Sequence, residues 1–269
     1  MTRIAGCTAD GAAAPSSFTL WQLPNQTPTQ MMSYVIRTAG GKVAVIDGGN
    51  AGDAPYLAAF IAELGNRVDA WFLTHPHSDH TDAPAAILED TGEPQIGATY
   101  ASSPDDAWMA QHASELEKAS DARLRASLAA AGLSLTELQL GQEIGLEGGL
   151  IEVLGVWNPE ITPNAINNQS IILSVSDATK SVLFTGDLGV EGGEKARSGP
   201  CADRLHADYI QMAHHGQQGV SEAFYQHVGA SYCLWPTPKW LWDNDDGGGP
   251  GSGPWKTLSG RFRCSAHRR

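Results

Sequence analysis

The chain has 269 residues, 42% of them hydrophobic and 17% charged, the composition of an ordinary folded protein; no apolar run approaches the roughly 20 residues of a transmembrane helix. Seventeen Lys and Arg against thirty Asp and Glu leave a net charge of -13, which disfavours the phosphate backbone of duplex nucleic acid and points to a small-molecule substrate. Cys7, Cys201, Cys233 and Cys264 stand apart with no C-x-x-C pair, which excludes a zinc-ribbon or thioredoxin pattern.

In chain order, Ile4-Ala5-Gly6-Cys7 resembles a bacterial lipobox, and the small, polar residues 8–17 after it read as a tether. Met1–Gly6 is too short for the apolar part of an export leader. The expectation is an extracytoplasmic lipoprotein anchored through Cys7, with 1–17 as tether and one domain over 18–258. Residues 18–23 and 33–46 are rich in β-branched and aromatic residues and broken by Gly40-Gly41, a strand–turn–strand pattern ending at Asp47-Gly48-Gly49. Leu57, Phe60, Ile61 and Leu64 fall at helical spacing, predicting a helix over 54–64. The short apolar run 68–73 predicts a buried strand that delivers the chain to Thr74-His75. One long helix is predicted over 105–131, closed by Gly132.

Residues 143–146 and 150–156 predict a hairpin through Gly148-Gly149, and 170–175 with 182–184 another, turning at 177–180. Residues 208–212 predict a strand ending at His214-His215-Gly216, followed by a helix over 221–228 and a strand over 232–235. Residues 243–254 are a Gly- and Asp-rich loop. The basic end, 259–269, shows no pattern and is expected to be disordered or non-native. Strands and helices alternate, and the ligand-type residues sit where strands end.

The densest signal is Thr74-His75-Pro76-His77-Ser78-Asp79-His80. His75 and His77, two apart on an extended segment, point the same way and suit one cation; Asp79 and His80 then turn toward a second. Mixed imidazole and carboxylate donors favour zinc, with manganese or iron as alternatives.

This H-x-H-x-D-H run after a strand resembles the signature of the metallo-β-lactamase superfamily. Asp47-Gly48-Gly49 is similar to that family's early Asp-Gly motif, Thr185-Gly186-Asp187 to its bridging aspartate, and His214-His215-Gly216 to its last histidine. The resemblance spans roughly 34–235. It implies an α/β protein of the four-layer αββα sandwich type, with two divalent metal ions at one edge. His75 and His77 would hold the first ion, Asp79, His80 and His215 the second, and Asp187 would bridge them. Asp47 would orient the ligand loop. His214 would hydrogen-bond the substrate or its leaving group, making Asp187 and His214 the catalytic pair.

Asn167-Asn168-Gln169-Ser170 before a strand resembles one branch, which holds the hydrolase domain of DNA-uptake (competence) proteins and the bacterial phosphorylcholine esterases. That favours hydrolysis of small phosphodiesters or phosphomonoesters. A lactonase or β-lactamase, or a mononuclear iron dioxygenase of the same fold, is the alternative. No G-x-S-x-G elbow offers a serine nucleophile. A hydroxide shared by two cations does not need one, since metal binding lowers the pKa of water to roughly 7.

Two departures stand out. Many relatives carry a further histidine ligand before the bridging aspartate, and only His112 lies in that interval here; at mid-helix it reads as a surface residue, leaving the first site three protein ligands. His206, His227 and His267 read as structural or surface residues. Trp235, Trp240 and Trp242 either line a pocket for a cationic group or, as the favoured reading, pack the sandwich edge.

Overall fold

A computed structural model describes residues 2–4, 18–90, 94–244 and 263–266. The first half of the chain runs β1 (Thr2–Ile4), β2 (Phe18–Gln22), β3 (Ser33–Thr38), β4 (Val43–Asp47), α1 (Ala54–Glu63), β5 (Arg67–Val68), β6 (Ala70–Phe72), α2 (Ser78–Glu89), β7 (Gln95–Ile96), β8 (Thr99–Ala101), α3 (Asp106–His112), α4 (Glu115–Ala130) and β9 (Leu135–Glu137). The second runs β10 (Glu143–Leu146), β11 (Gly149–Gly155), β12 (Ile172–Ser176), β13 (Ser181–Phe184), α5 (Val190–Ser198), β14 (Tyr209–Gln211), α6 (Glu222–Val228), β15 (Tyr232–Trp235), α7 (Lys239–Asp243) and β16 (Arg263–Ala266).

The strands form two seven-stranded sheets, ordered β1-β2-β3-β4-β6-β8-β9 and β10-β11-β12-β13-β14-β15-β16, with β5 and β7 paired beside them. Each sheet begins as an antiparallel meander and continues as parallel strands: β4, β6, β8 and β9 in the first, and β13 to β16 in the second. Side chains alternate across the strands, and this divides the core. Tyr34, Ile36, Ile46 and Phe72 face Val153, Leu173, Val175 and Phe184 between the sheets. Val35, Val45 and Trp71 turn outward onto Leu57, Ile61, Ala83 and Leu124 of α1, α2 and α4. Ile172, Leu183 and Ile210 meet Phe224 and Val228 of α6 on the far side. The layers are therefore α, β, β, α, as the resemblance implied.

Several expectations change. The helix predicted over 105–131 is two helices, because Ser114 caps a new start: its hydroxyl accepts from Glu117 N at 3.3 Å, and Glu117 Oε2 accepts from Ser114 N at 2.6 Å. The ligand run does not end in a loop but opens α2, whose first residue is Ser78. Thr2–Ile4, expected within a tether, pairs antiparallel with β2. Arg263–Ala266, in the segment expected to lack structure, pairs in parallel with β15. Cys7, His267 and most of the 243–254 loop lie outside the described residues. Among the described residues no helix is long and apolar enough to cross a membrane.

In open α/β sheets, the carboxyl ends of parallel strands collect ligands. Here β4 ends at Asp47, β6 leads to His75, β13 to Asp187, and β14 to His214 and His215, all at one edge. Backbone bonds lock these ends together: Ile171 N to Thr74 O at 3.1 Å joins the two sheets, and His214 N to Gly186 O at 3.1 Å joins two ligand loops. Gly48 allows the close approach of α2, since a Cβ there would lie 2.4 Å from Pro84 Cδ.

Candidate metal centre

The cluster is built outward from Asp47, a fully buried carboxylate at the end of β4 held at φ 55°. It accepts from Thr74 N at 2.8 Å, from Thr74 Oγ1 at 2.8 Å and from His80 Nδ1 at 2.8 Å. The last bond leaves His80 Nε2 as the free ring nitrogen, directed at Asp187 Oδ1 3.3 Å away. His215 is set the same way: its Nδ1–H donates to Pro236 O at 2.8 Å, and its Nε2 lies 3.1 Å from Asp79 Oδ2 and 3.6 Å from Asp187 Oδ2. Such second partners fix the tautomer of a ligating imidazole.

Two donor groups result. Asp79, His80, Asp187 and His215 form one; His75, His77 and Asp187 form the other, with all ligand atoms in each group within 4.8 Å of one another. Asp187 belongs to both. His75 Nε2 lies 2.9 Å from His77 Nδ1 and 4.0 Å from Asp187 Oδ2, and Ser170 Oγ stands 3.2 Å behind at His75 Nδ1.

His80 Nε2, Asp187 Oδ1 and His215 Nε2 are buried with no hydrogen-bond partner. Orphaned polar atoms are costly in a protein interior unless something binds them. Three of them converging from a set of imidazoles and carboxylates is what a divalent cation satisfies, so the donor set fits metal ions. Burial pushes the His75 imidazole toward its neutral form, the form that ligates, with the neighbouring His80 and His77 adding to the effect. Burial works to raise Asp79, but the neighbouring His215 and His80 imidazoles outweigh it and hold the carboxyl at about 2.

All six sequence-expected ligands meet here, together with Asp47 and His214. His214 Nε2 is 3.8 Å from Asp187 Oδ2, beside the donors rather than among them. The side chains of His77 and His214 are 23% and 21% exposed, whereas those of His75, His80 and His215 are closed off, so the centre opens to solvent on the His77–His214 side. His112 ends α3 against the Trp108 ring, 4.7 Å between centroids, and joins neither donor group. His227 Nε2 donates to Ala202 O at 2.9 Å and its ring stacks on His206, a structural pair. Trp235 and Trp242 pack edge to face, 4.8 Å between centroids, at the sandwich edge.

Glu117 was missed. Its Oε1 accepts from His77 Nε2 at 2.9 Å, turning Nδ1 toward the donors, and that bond is the main reason the Glu117 carboxyl is held down to about 2. The Ser114-x-x-Glu117 capping box was the available signal. For Glu117→Ala, metal titration calorimetry is expected to show about 10- to 100-fold weaker binding at the His75–His77 side, with Glu117→Gln, which still accepts, losing far less.

An αββα sandwich with these donors at its edge defines a metal-dependent hydrolase fold. The family model described as the metallo-beta-lactamase superfamily matches residues 27–214, and the chain belongs to that superfamily. Among solved structures it is similar to the metallo-beta-lactamase fold protein YhfI of Bacillus subtilis (13% identity, 94% of this chain and 95% of that one, TM-score 0.54). It is also similar to a protein of Parabacteroides distasonis assigned as a metal-dependent hydrolase (12% identity, 99% and 98%, TM-score 0.54). No curated protein matches the sequence.

Proposed function

We propose that the protein is a binuclear metallohydrolase, with zinc favoured, acting on small phosphodiesters or phosphomonoesters. The observation that carries the reading is Asp187, whose carboxylate is common to both donor groups. Two cations bound there would supply an activated water and polarise the scissile bond. The residues do the rest. Asp187 positions the nucleophile, His75, His77, Asp79, His80 and His215 hold the ions, and His214, on the solvent side, is placed to hydrogen-bond the substrate or its leaving group. The net charge of -13 supports a small substrate over duplex nucleic acid. The Asn167–Ser170 run supports the phosphoester branch, and the lipobox-like run supports a lipid anchor at Cys7 in the natural form.

The test is metal analysis of the protein with turnover of bis-p-nitrophenyl phosphate, p-nitrophenylphosphorylcholine, a lactone and nitrocefin. Expected are about two ions per chain and cleavage of a phosphoester, abolished by dipicolinate and restored by zinc. Lactone or nitrocefin turnover alone would move the substrate class to carbon esters and amides. One tightly bound iron without hydrolysis would overturn the reading.

A further inference from the structure

Three consecutive amide side chains precede β12, and they are not used alike. Asn168 is saturated by scaffold: its Oδ1 accepts from Gly189 N and Gly192 N, each at 3.0 Å, and its Nδ2 donates to Pro163 O and Glu191 Oε2. Gln169 is saturated likewise, accepting from Asn158 N and donating to Ile161 O and Ala165 O. Asn167 is only 5% exposed, yet its partners are side chains: Nδ2 donates to Asn164 Oδ1 at 3.0 Å and stands 3.4 Å from His214 Nε2. Its Oδ1 is buried with no partner. A buried acceptor left open works against stability, so it marks a place where something other than folding decides the residue.

On the far side of the ring, His214 Nδ1 is 3.3 Å from Gln218 O, which can only accept. Nδ1 therefore carries the hydrogen. The Asn167 amide, oriented by Asn164, offers an N–H to the opposite nitrogen. Both contacts select one tautomer, in which the single Nε2 lone pair accepts the Asn167 N–H and the ring stands beside Asp187.

We propose that Asn167 is a positioning residue: its N–H, oriented by Asn164, fixes the place and the tautomer of the His214 ring beside Asp187, and its open Oδ1 receives a donor, water or a substrate hydroxyl or N–H, beside it. This rests on the hydrolase reading above for its catalytic consequence, while the ring geometry stands apart from it.

The experiment uses the zinc-loaded full chain labelled with ¹⁵N-histidine. Long-range ¹H–¹⁵N spectra, with His214 assigned from His214→Gln, should show Nδ1 protonated and Nε2 bare. Asn167→Ala should mix the two tautomers. Asn167→Asp, close in shape but able only to accept, should place the hydrogen on Nε2. On the best phosphoester of the panel, both variants should lose about 10- to 100-fold in kcat, with KM within about threefold and zinc content unchanged. A protonated Nε2 in the wild type, an unmoved tautomer in both variants, or loss of zinc in step with activity would overturn the proposal. A wild type inert on the panel but with the expected tautomer shifts would remove the hydrolase reading and leave the positioning of His214 established.

Discussion

Asp187→Ala is expected to lower phosphoester turnover about 10³-fold or more. The carboxylate sits 3.3 Å from His80 Nε2 and 3.6 Å from His215 Nε2 through its two oxygens, and it completes both donor groups. Without it the His75–His77 side keeps two protein donors, fewer than the three usual at a catalytic zinc. Metal-assisted charge stabilisation is worth several kcal/mol, so losing its geometry costs about three powers of ten. Burial works to raise this carboxyl, but His80, His215 and His214 together hold it well below the ordinary carboxylate range. Asp187→Asn, which keeps the shape and loses the charge, should therefore also fail. The measurements are kcat/KM beside metal content by mass spectrometry of the elements, and retained turnover with one ion per chain would remove Asp187 from its shared role.

Gly216→Ala should be the most damaging of the small substitutions. A Cβ on Gly216 would lie 1.7 Å from Trp235 Nε1 and 2.3 Å from Cε2, at φ 76°. Trp235 is fully buried and cannot yield, because its indole N–H donates to His215 O at 3.0 Å and its ring packs on Trp242. Overpacking a pinned core site costs about 3 kcal/mol, with a left-handed backbone adding roughly 1–2 kcal/mol for any residue with a Cβ. For a domain of this size that is a fall in Tm of about 10 °C or more. Gly132→Ala isolates the second term, since Gly132 has φ 72° and nothing within 4 Å of a Cβ. Thermal unfolding of both variants, metal-free and metal-loaded, decides the point. Equal stabilities would mean that Trp235 moves aside.

His214 and His215 share the strain around Gly216, with φ of 52° and 54°. Left-handed backbone is unusual outside glycine and tends to gather at functional sites. It aims two consecutive imidazoles differently: His215 inward among the donors, His214 outward to the open side. Their adjacency in the sequence shows that both can reach the centre. Only the backbone conformation assigns them separate roles.

The legible part of this protein was local. Four ligand-type residues in the six positions from His75 to His80, at the end of an apolar run, announce a metal site because so dense a donor cluster has little other use. Apolar runs rich in β-branched residues and separated by turn residues along 33–46, 150–156 and 170–184 announce strands, and they run nearly unbroken because one face fills the space between the sheets and the other lies under a helix layer. The order of Asp47, His75–His80, Asp187 and His215 carried the fold class with it. What stayed hidden was held by contacts between distant residues. His77 meets Glu117 across 40 positions, His75 meets Ser170 across 95, and the Asn168 side chain holds the start of α5 from 21 residues away. Helix α5 carries a Gly-Gly pair and shows no helical signal of its own; the break between α3 and α4 rests on one serine. Local propensity and periodicity record what a residue does with its near neighbours. Which imidazole nitrogen is free, which carboxylate is shared and which amide is left open follow from how the two sheets bring their strand ends together, and that stacking is a property of the whole chain.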